Sequence, residues 1–122
     1  MGDRGNVLVR EDDKDSGVYL YTHWRGSDLP ILVQEALLKR VRWDDCPYLT
    51  RIIFDVLSQE SHGNETGFGI SSMIGDGEYR LVTIDCKTQT VYIGSNDNPE
   101  RLSWKFEGYI VLEASDLAKV WA

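Results

Sequence analysis

The sequence predicts an α+β domain: a mainly antiparallel sheet in a two-layer arrangement, packed against two helices, in the order β-β-α-α-β-β-β-β-α. Three observations carry this. Apolar residues alternate with polar or aromatic ones near the start of the chain and again beyond residue 66, the period of a half-buried strand. Two central stretches repeat their apolar residues at helical spacing instead. Helices do not separate the strands one by one, and short turns join them, which favours antiparallel pairing over a parallel βαβ sheet.

Taken in order, residues 6–10 place Val7 and Val9 on one face, and residues 18–24 alternate Val18, Leu20, Thr22 and Trp24 against Tyr19, Tyr21 and His23. A polar loop ending in Gly17 joins them as a hairpin. Glu11, Asp13 and Asp15 have a calcium-like spacing, but glycine falls one place late and Thr22 stands where a bidentate Glu is needed. A first helix over 28–41 starts at Ser27 or Asp28, tolerates Pro30 in its first turn and carries Leu29, Val33, Leu37 and Val41 as a stripe. A second opens at Trp43-Asp44-Asp45-Cys46-Pro47 and repeats Leu49, Ile52, Ile53, Val56 and Leu57. Strands over 67–73, 78–85 and 90–93 read as a meander. Residues 102–112 read as a last strand, with a bulge at Gly108. Ser115-Asp116 begins a short terminal helix whose Leu117, Val120 and Trp121 pack back on the body.

The 122 residues fit one domain, 1–122, large enough to bury a core without metal or disulfide staples. Twenty acidic against thirteen basic residues give a formal charge of -7. Such a surface repels phosphate backbones and anionic lipids, so general nucleic-acid binding and membrane association are not expected. Two cysteines, Cys46 and Cys86, with no signal peptide and no apolar run near membrane-spanning length, point to the cytoplasm.

Candidate chemistry centres on His23, at a strand end beside Trp24 and Arg25 and just before a helix start, where an imidazole can act as acid, base or anion ligand. The competing reading makes Tyr19, Tyr21 and His23 half-exposed packing on one sheet face. Asp44 and Asp45 at a helix N-terminus read as caps, and adjacent carboxylates rarely aim at one cation, so no metal is expected. Cys46 in the first helical turn offers a nucleophile, opposed by those two aspartates; a small buried apolar role is favoured for it and for Cys86. The glycines of residues 63–69 precede a strand, whereas phosphate loops follow one. Arg4, Arg25, Arg42 and Arg51 are the cations suited to an anionic ligand. No cofactor is implied.

Four phrases, Gly2-Asp-Arg-Gly-Asn-Val7, Val18-Tyr-Leu-Tyr-Thr-His-Trp24, Arg42-Trp-Asp-Asp-Cys-Pro-Tyr-Leu-Thr-Arg-Ile-Ile-Phe54 and Glu65-Thr-Gly-Phe-Gly-Ile-Ser71, resemble a family of small bacterial and phage proteins with no assigned activity. The likeness covers roughly the first 70 residues. It nominates Arg4, His23, Trp24, Trp43, Asp44, Arg51 and Glu65 for testing without giving any a role. Relatives often carry Ala where this chain has Gly5.

With no complete catalytic set, the first expectation is an acidic binding or accessory protein, of phage or mobile-element type, that engages a host protein or sequesters a small, nucleotide-like anion. Its binding residues would be Arg4, Trp24, Arg25, Trp43, Asp44, Arg51 and Glu65. The alternatives are a metal-independent hydrolase of a phosphodiester or nucleotide derivative using His23, and a structural homodimer closed through an edge strand or aromatic face.

Overall fold

A computed structural model describes residues 2–11, 17–95 and 97–121. Its centre is one mixed sheet of six strands, ordered β3-β2-β1-β4-β5-β6. The strands are β1 (Gly5–Arg10), β2 (Val18–Thr22), β3 (Phe68–Ser71), β4 (Leu81–Asp85), β5 (Thr90–Gly94) and β6 (Leu102–Lys105). Four helices accompany them: α1 (Leu29–Leu37), α2 (Cys46–Ser58), α3 (Phe106–Tyr109) and α4 (Ala114–Leu117), with short 3-10 turns at Gly26–Asp28 and Gln59–Ser61.

The expected hairpin is present, β1 and β2 pairing antiparallel with Val7 opposite Leu20. Asp13 and Asp15 of the calcium-like spacing lie outside the described residues. The expected meander over 67–93 is not formed. Only β4 and β5 pair as consecutive strands there, while β3 joins the outer side of β2 and β4 runs parallel to β1, with Val7 beside Val82. A tie between the edge and the centre of the sheet explains the change. Asn6 donates its side-chain amide to the Gly75 carbonyl at 3.0 Å and accepts the Gly75 N–H at 3.1 Å, so the β3–β4 connection is carried across β1.

The expected strand over 102–112 is also shorter. The chain leaves β6 at Lys105 and turns into α3, where Gly108 is helical rather than a bulge. Phe106 and Tyr109, three apart, are both buried, and the Tyr109 hydroxyl donates to the Pro30 carbonyl at 2.7 Å. Turning into α3 places this phenol in the core with its hydrogen bond made, and burial pushes its pKa up.

Alternate residues of the strands, Val7 and Val9, Leu20, Val82 and Ile84, Val91 and Ile93, share one apolar cluster with Leu29, Val33, Leu37, Leu49, Ile53 and Leu57 of the helices. α1 ends earlier than the expected 41 because Arg40 and Arg42 turn left-handed, at φ 53° and 62°. Arg40 is held there by two hydrogen bonds to the Glu107 carboxylate and by lying over the Trp43 ring. α2 starts as read: Asp45 caps it by accepting the Tyr48 N–H, and Pro47 sits in its first turn. The last helix is present but starts at Ala114, ahead of the expected Ser115-Asp116, because Glu113 and Asp116 form a reciprocal cap; Leu117 and Val120 are buried.

Cys46 and Cys86 are joined as a disulfide, Cα atoms 5.6 Å apart, tying the first residue of α2 to the residue after β4. They are not two separate apolar fillers, as the sequence reading had them. No helix among the described residues is long and apolar enough to cross a membrane.

Candidate functional site

His23 follows β2 and is half-buried. Its Nδ1 shares a hydrogen bond with the Tyr21 hydroxyl at 2.9 Å, and its ring meets that of Trp24 edge-on at 4.4 Å. Gly2 packs against the other nitrogen so closely that a Cβ there would stand 2.7 Å from Nε2. No carboxylate orients the ring in these contacts. The backbone around it is equally occupied, since His23 N–H donates to Gly67 O and His23 O accepts from Asp3 N–H.

The helix start that follows was attractive for an anion, because the first N–H groups of a helix have no partner within it. The chain fills that place with its own carboxylate. Asp3 accepts from the Ser27 N–H at 3.1 Å and from the Ser27 hydroxyl at 2.6 Å. Burial would raise the Asp3 pKa, but these bonds, with one from Tyr79, outweigh it and hold the carboxyl below its usual range.

The nearby cations are matched in the same way. Arg4 faces Glu78 and Asp76, and Arg25 faces Asp28 at 2.8 Å and Glu60 at 3.0 Å. Further along the sheet Arg10, which the sequence reading passed over, lies between Asp85 at 3.1 Å and Glu100 at 2.9 Å and over the Tyr92 ring. With two carboxylates to each guanidinium, these three places are locally acidic, the opposite of a phosphate site.

The other nominated residues go elsewhere. Trp43 is packing: its ring meets Phe106 at 5.4 Å and its Nε1 donates to Leu37 O. Asp44 is exposed beside the disulfide, in a cleft it shares with Lys87 and Gln89. Arg42 pairs loosely with Asp45 and lies over Tyr48. Arg51 pairs with Asp55 one turn on. Glu65 is exposed just before β3.

A different feature gathers around β3. This strand ends the sheet order, and among the described residues no strand pairs with its outer side. Tyr21 is opposite Gly69 and Tyr19 opposite Ser71, continuing the Gly67–His23 hydrogen-bonded pair by steps of two. That alternation turns the N–H and C=O of Phe68 and Ile70 outward. The strand carries no charge and no proline, the usual guards of an exposed edge. β6, at the opposite edge, has Lys105, which bonds Thr88 O. Ile70 is 59% exposed, and Trp24, Met73 and Ile74 beside the strand are at least half exposed.

A groove of about 350 Å³ lies between β2, β3 and α2, lined by Val18, Leu20, Pro47, Thr50, Arg51, Phe54 and Ile70. Phe68 stacks edge-on against Phe54 at 5.1 Å, so the strand is braced on α2 while its outer side stays open. Arg51, Trp24 and Glu65, nominated from the sequence, lie in this neighbourhood, and an edge strand enters the sequence analysis only as a homodimer contact with no strand named. The signal for this one is the apolar, unguarded run Gly67-Phe-Gly-Ile-Ser71.

Among the described residues, no group of three or more His, Cys, Asp or Glu is placed to hold a metal ion. No protein-family model matches the chain, and neither a curated protein nor a solved structure matches it.

Proposed function

We propose that this chain is a non-catalytic binding protein that takes up an extended, basic segment of a partner protein along the outer edge of β3. The observation that carries the reading is the unguarded edge, with the Phe68 and Ile70 amides turned outward beside an apolar groove. Backbone bonds to such an edge supply affinity, and a flanking groove selects side chains. The frame is a two-layer one, in which helices back the sheet and leave β3 at the rim. Charge supports a basic partner over a second copy of the chain, since two molecules of net charge -7 repel one another. The resemblance to small bacterial and phage proteins supports an accessory role in the host cytoplasm.

The hydrolase reading has less in its favour. Tyr21 occupies one nitrogen of His23, Gly2 packs on the other, and Arg4 and Arg25 are each between two carboxylates. The same pairing weighs against capture of a small anion.

Selection from a random-peptide display library tests the proposal. Enriched peptides should alternate apolar residues, carry Lys or Arg, and lose at least about tenfold in affinity for Ile70→Pro, which removes an outward N–H and leaves the inner ladder intact. Enrichment of acidic peptides, or binding indifferent to Ile70→Pro, contradicts it.

A further inference from the structure

We infer that the Cys46–Cys86 disulfide is a thiol-exchange site for a low-molecular-weight thiol, with Cys46 as the leaving sulfur. The two cysteines line a cleft of about 330 Å³ with Glu11, Asp44, Lys87 and Gln89, at the lower end of the size range of small-molecule sites. Cys46 also lines a second and larger opening of about 780 Å³, with Val9, Pro47, Thr50 and Lys87. Both cysteines thus border one surface cleft, which Cys86 lines although it is largely buried.

The two sulfurs are not equivalent. Cys46 is the first residue of a helix of 13 residues and is half-buried. Thiolates there are stabilised by the free N–H groups and the positive end of the helix dipole. Asp44 and Asp45 oppose this, but Asp45 is engaged in capping the helix and Lys87 borders the same cleft. Cys86 follows a central strand and is only 8% exposed, its N–H bonded to Arg10 O. Burial raises a thiol's pKa, so Cys86 is the poorer thiolate of the two.

Exchange then runs in a fixed sense. An entering thiolate forms a bond to Cys86 Sγ as the bond between the cysteines breaks, and the electron pair leaves on Cys46. A second thiolate attacks the sulfur of the bound thiol, releasing an oxidised small-molecule disulfide and a Cys86 thiolate that takes a proton. Two thiols are oxidised and one protein disulfide is reduced. Reduction unties α2 from the end of β4 and opens a link between residues 40 apart in sequence. The inference does not depend on the β3 edge.

The test uses the full chain under native conditions with glutathione as the probe. Intact mass should show the disulfide in oxidising buffer, then its loss on adding glutathione without denaturant. Cys86→Ser, which leaves Cys46 alone, should react with iodoacetamide at pH 7 about tenfold faster than Cys46→Ser, which leaves Cys86, as expected where the helix N-terminus favours the thiolate and burial opposes it. Should either variant fail to fold, the wild-type comparison stands by itself: reduction proceeds at a similar rate with and without denaturant. Two free thiols in oxidising buffer, reduction that requires denaturant, or a faster Cys86 overturns the inference.

Discussion

The end of β2 and the edge at β3 are neighbours, joined through the bond between His23 and Gly67, yet they are opposites in chemistry. The first holds the residues that draw attention in a sequence: a histidine, two arginines, a tryptophan and an aspartate next to a helix start. The histidine, the arginines and the aspartate are bonded inside the molecule, to Tyr21, Ser27, Glu78, Asp28 and Glu60. The second holds Phe68, Gly69, Ile70 and Ser71, none of them ionisable, and leaves backbone groups open to a partner. Here the reactive residue types are already partnered, and the open backbone groups lie on an unremarkable strand that the fold leaves last in the sheet.

If the β2 end is a structural joint, filling one of its close backbone-to-backbone contacts should do the most damage. A Cβ at Gly26 would stand 2.8 Å from the Arg4 carbonyl carbon and the Asp3 oxygen, both backbone atoms that cannot swing aside. Gly26→Ala should cost about 2–3 kcal/mol, seen as a fall in the thermal midpoint of roughly 10 °C. A midpoint within a degree of wild type would mean the joint is loose.

The next effect belongs to the edge. Ile70→Pro should lower affinity for selected peptides at least about tenfold while changing stability by less than about 1 kcal/mol in denaturant titration. Large unfolding by this variant would show that the Ile70 amide points inward.

Back at the joint, Asp3→Asn should lose up to about 1 kcal/mol at neutral pH, the scale of a hydrogen bond at a partly exposed carboxylate. The folded-state pKa of Asp3 lies below that of an ordinary aspartate, so its contribution is complete above the usual carboxylate range and is lost as pH falls through the lower, folded value. The gap between wild type and Asp3→Asn should therefore close below about pH 4, measured as stability against pH. A gap that persists in acid would assign the effect to packing instead. Smallest of all, His23→Gln should alter stability by less than about 0.5 kcal/mol and leave peptide affinity unchanged, because the ring serves a half-exposed contact.

Local features of the fold were legible. Asp45, Pro47 and the apolar repeat from Leu49 to Leu57 define α2 without reference to anything distant, and the β1–β2 hairpin needs only its own alternation. The misreadings were of contacts remote in sequence. The parallel pairing of β1 with β4 depends on a connection held by Asn6 and Gly75, which no periodicity reports. Phe106 continues the alternation of Leu102 and Trp104, so only its burial with Tyr109 reveals a helix. The cysteines, 40 residues apart, carried no spacing signal for a bond. Trp24, Arg51 and Glu65, singled out from the sequence, lie around the β3 edge, but which strand lies outermost is a property of topology alone.

Amide hydrogen exchange resolved to single residues reads the free edge most directly. In the free protein the Phe68 and Ile70 amides should exchange near the rate of unstructured chain, while Gly69 and Ser71, bonded to β2, are protected. A selected basic peptide should then protect Phe68 and Ile70. Protection of all four amides before any peptide is added, or peptide-induced protection confined to the surroundings of His23, would contradict the account.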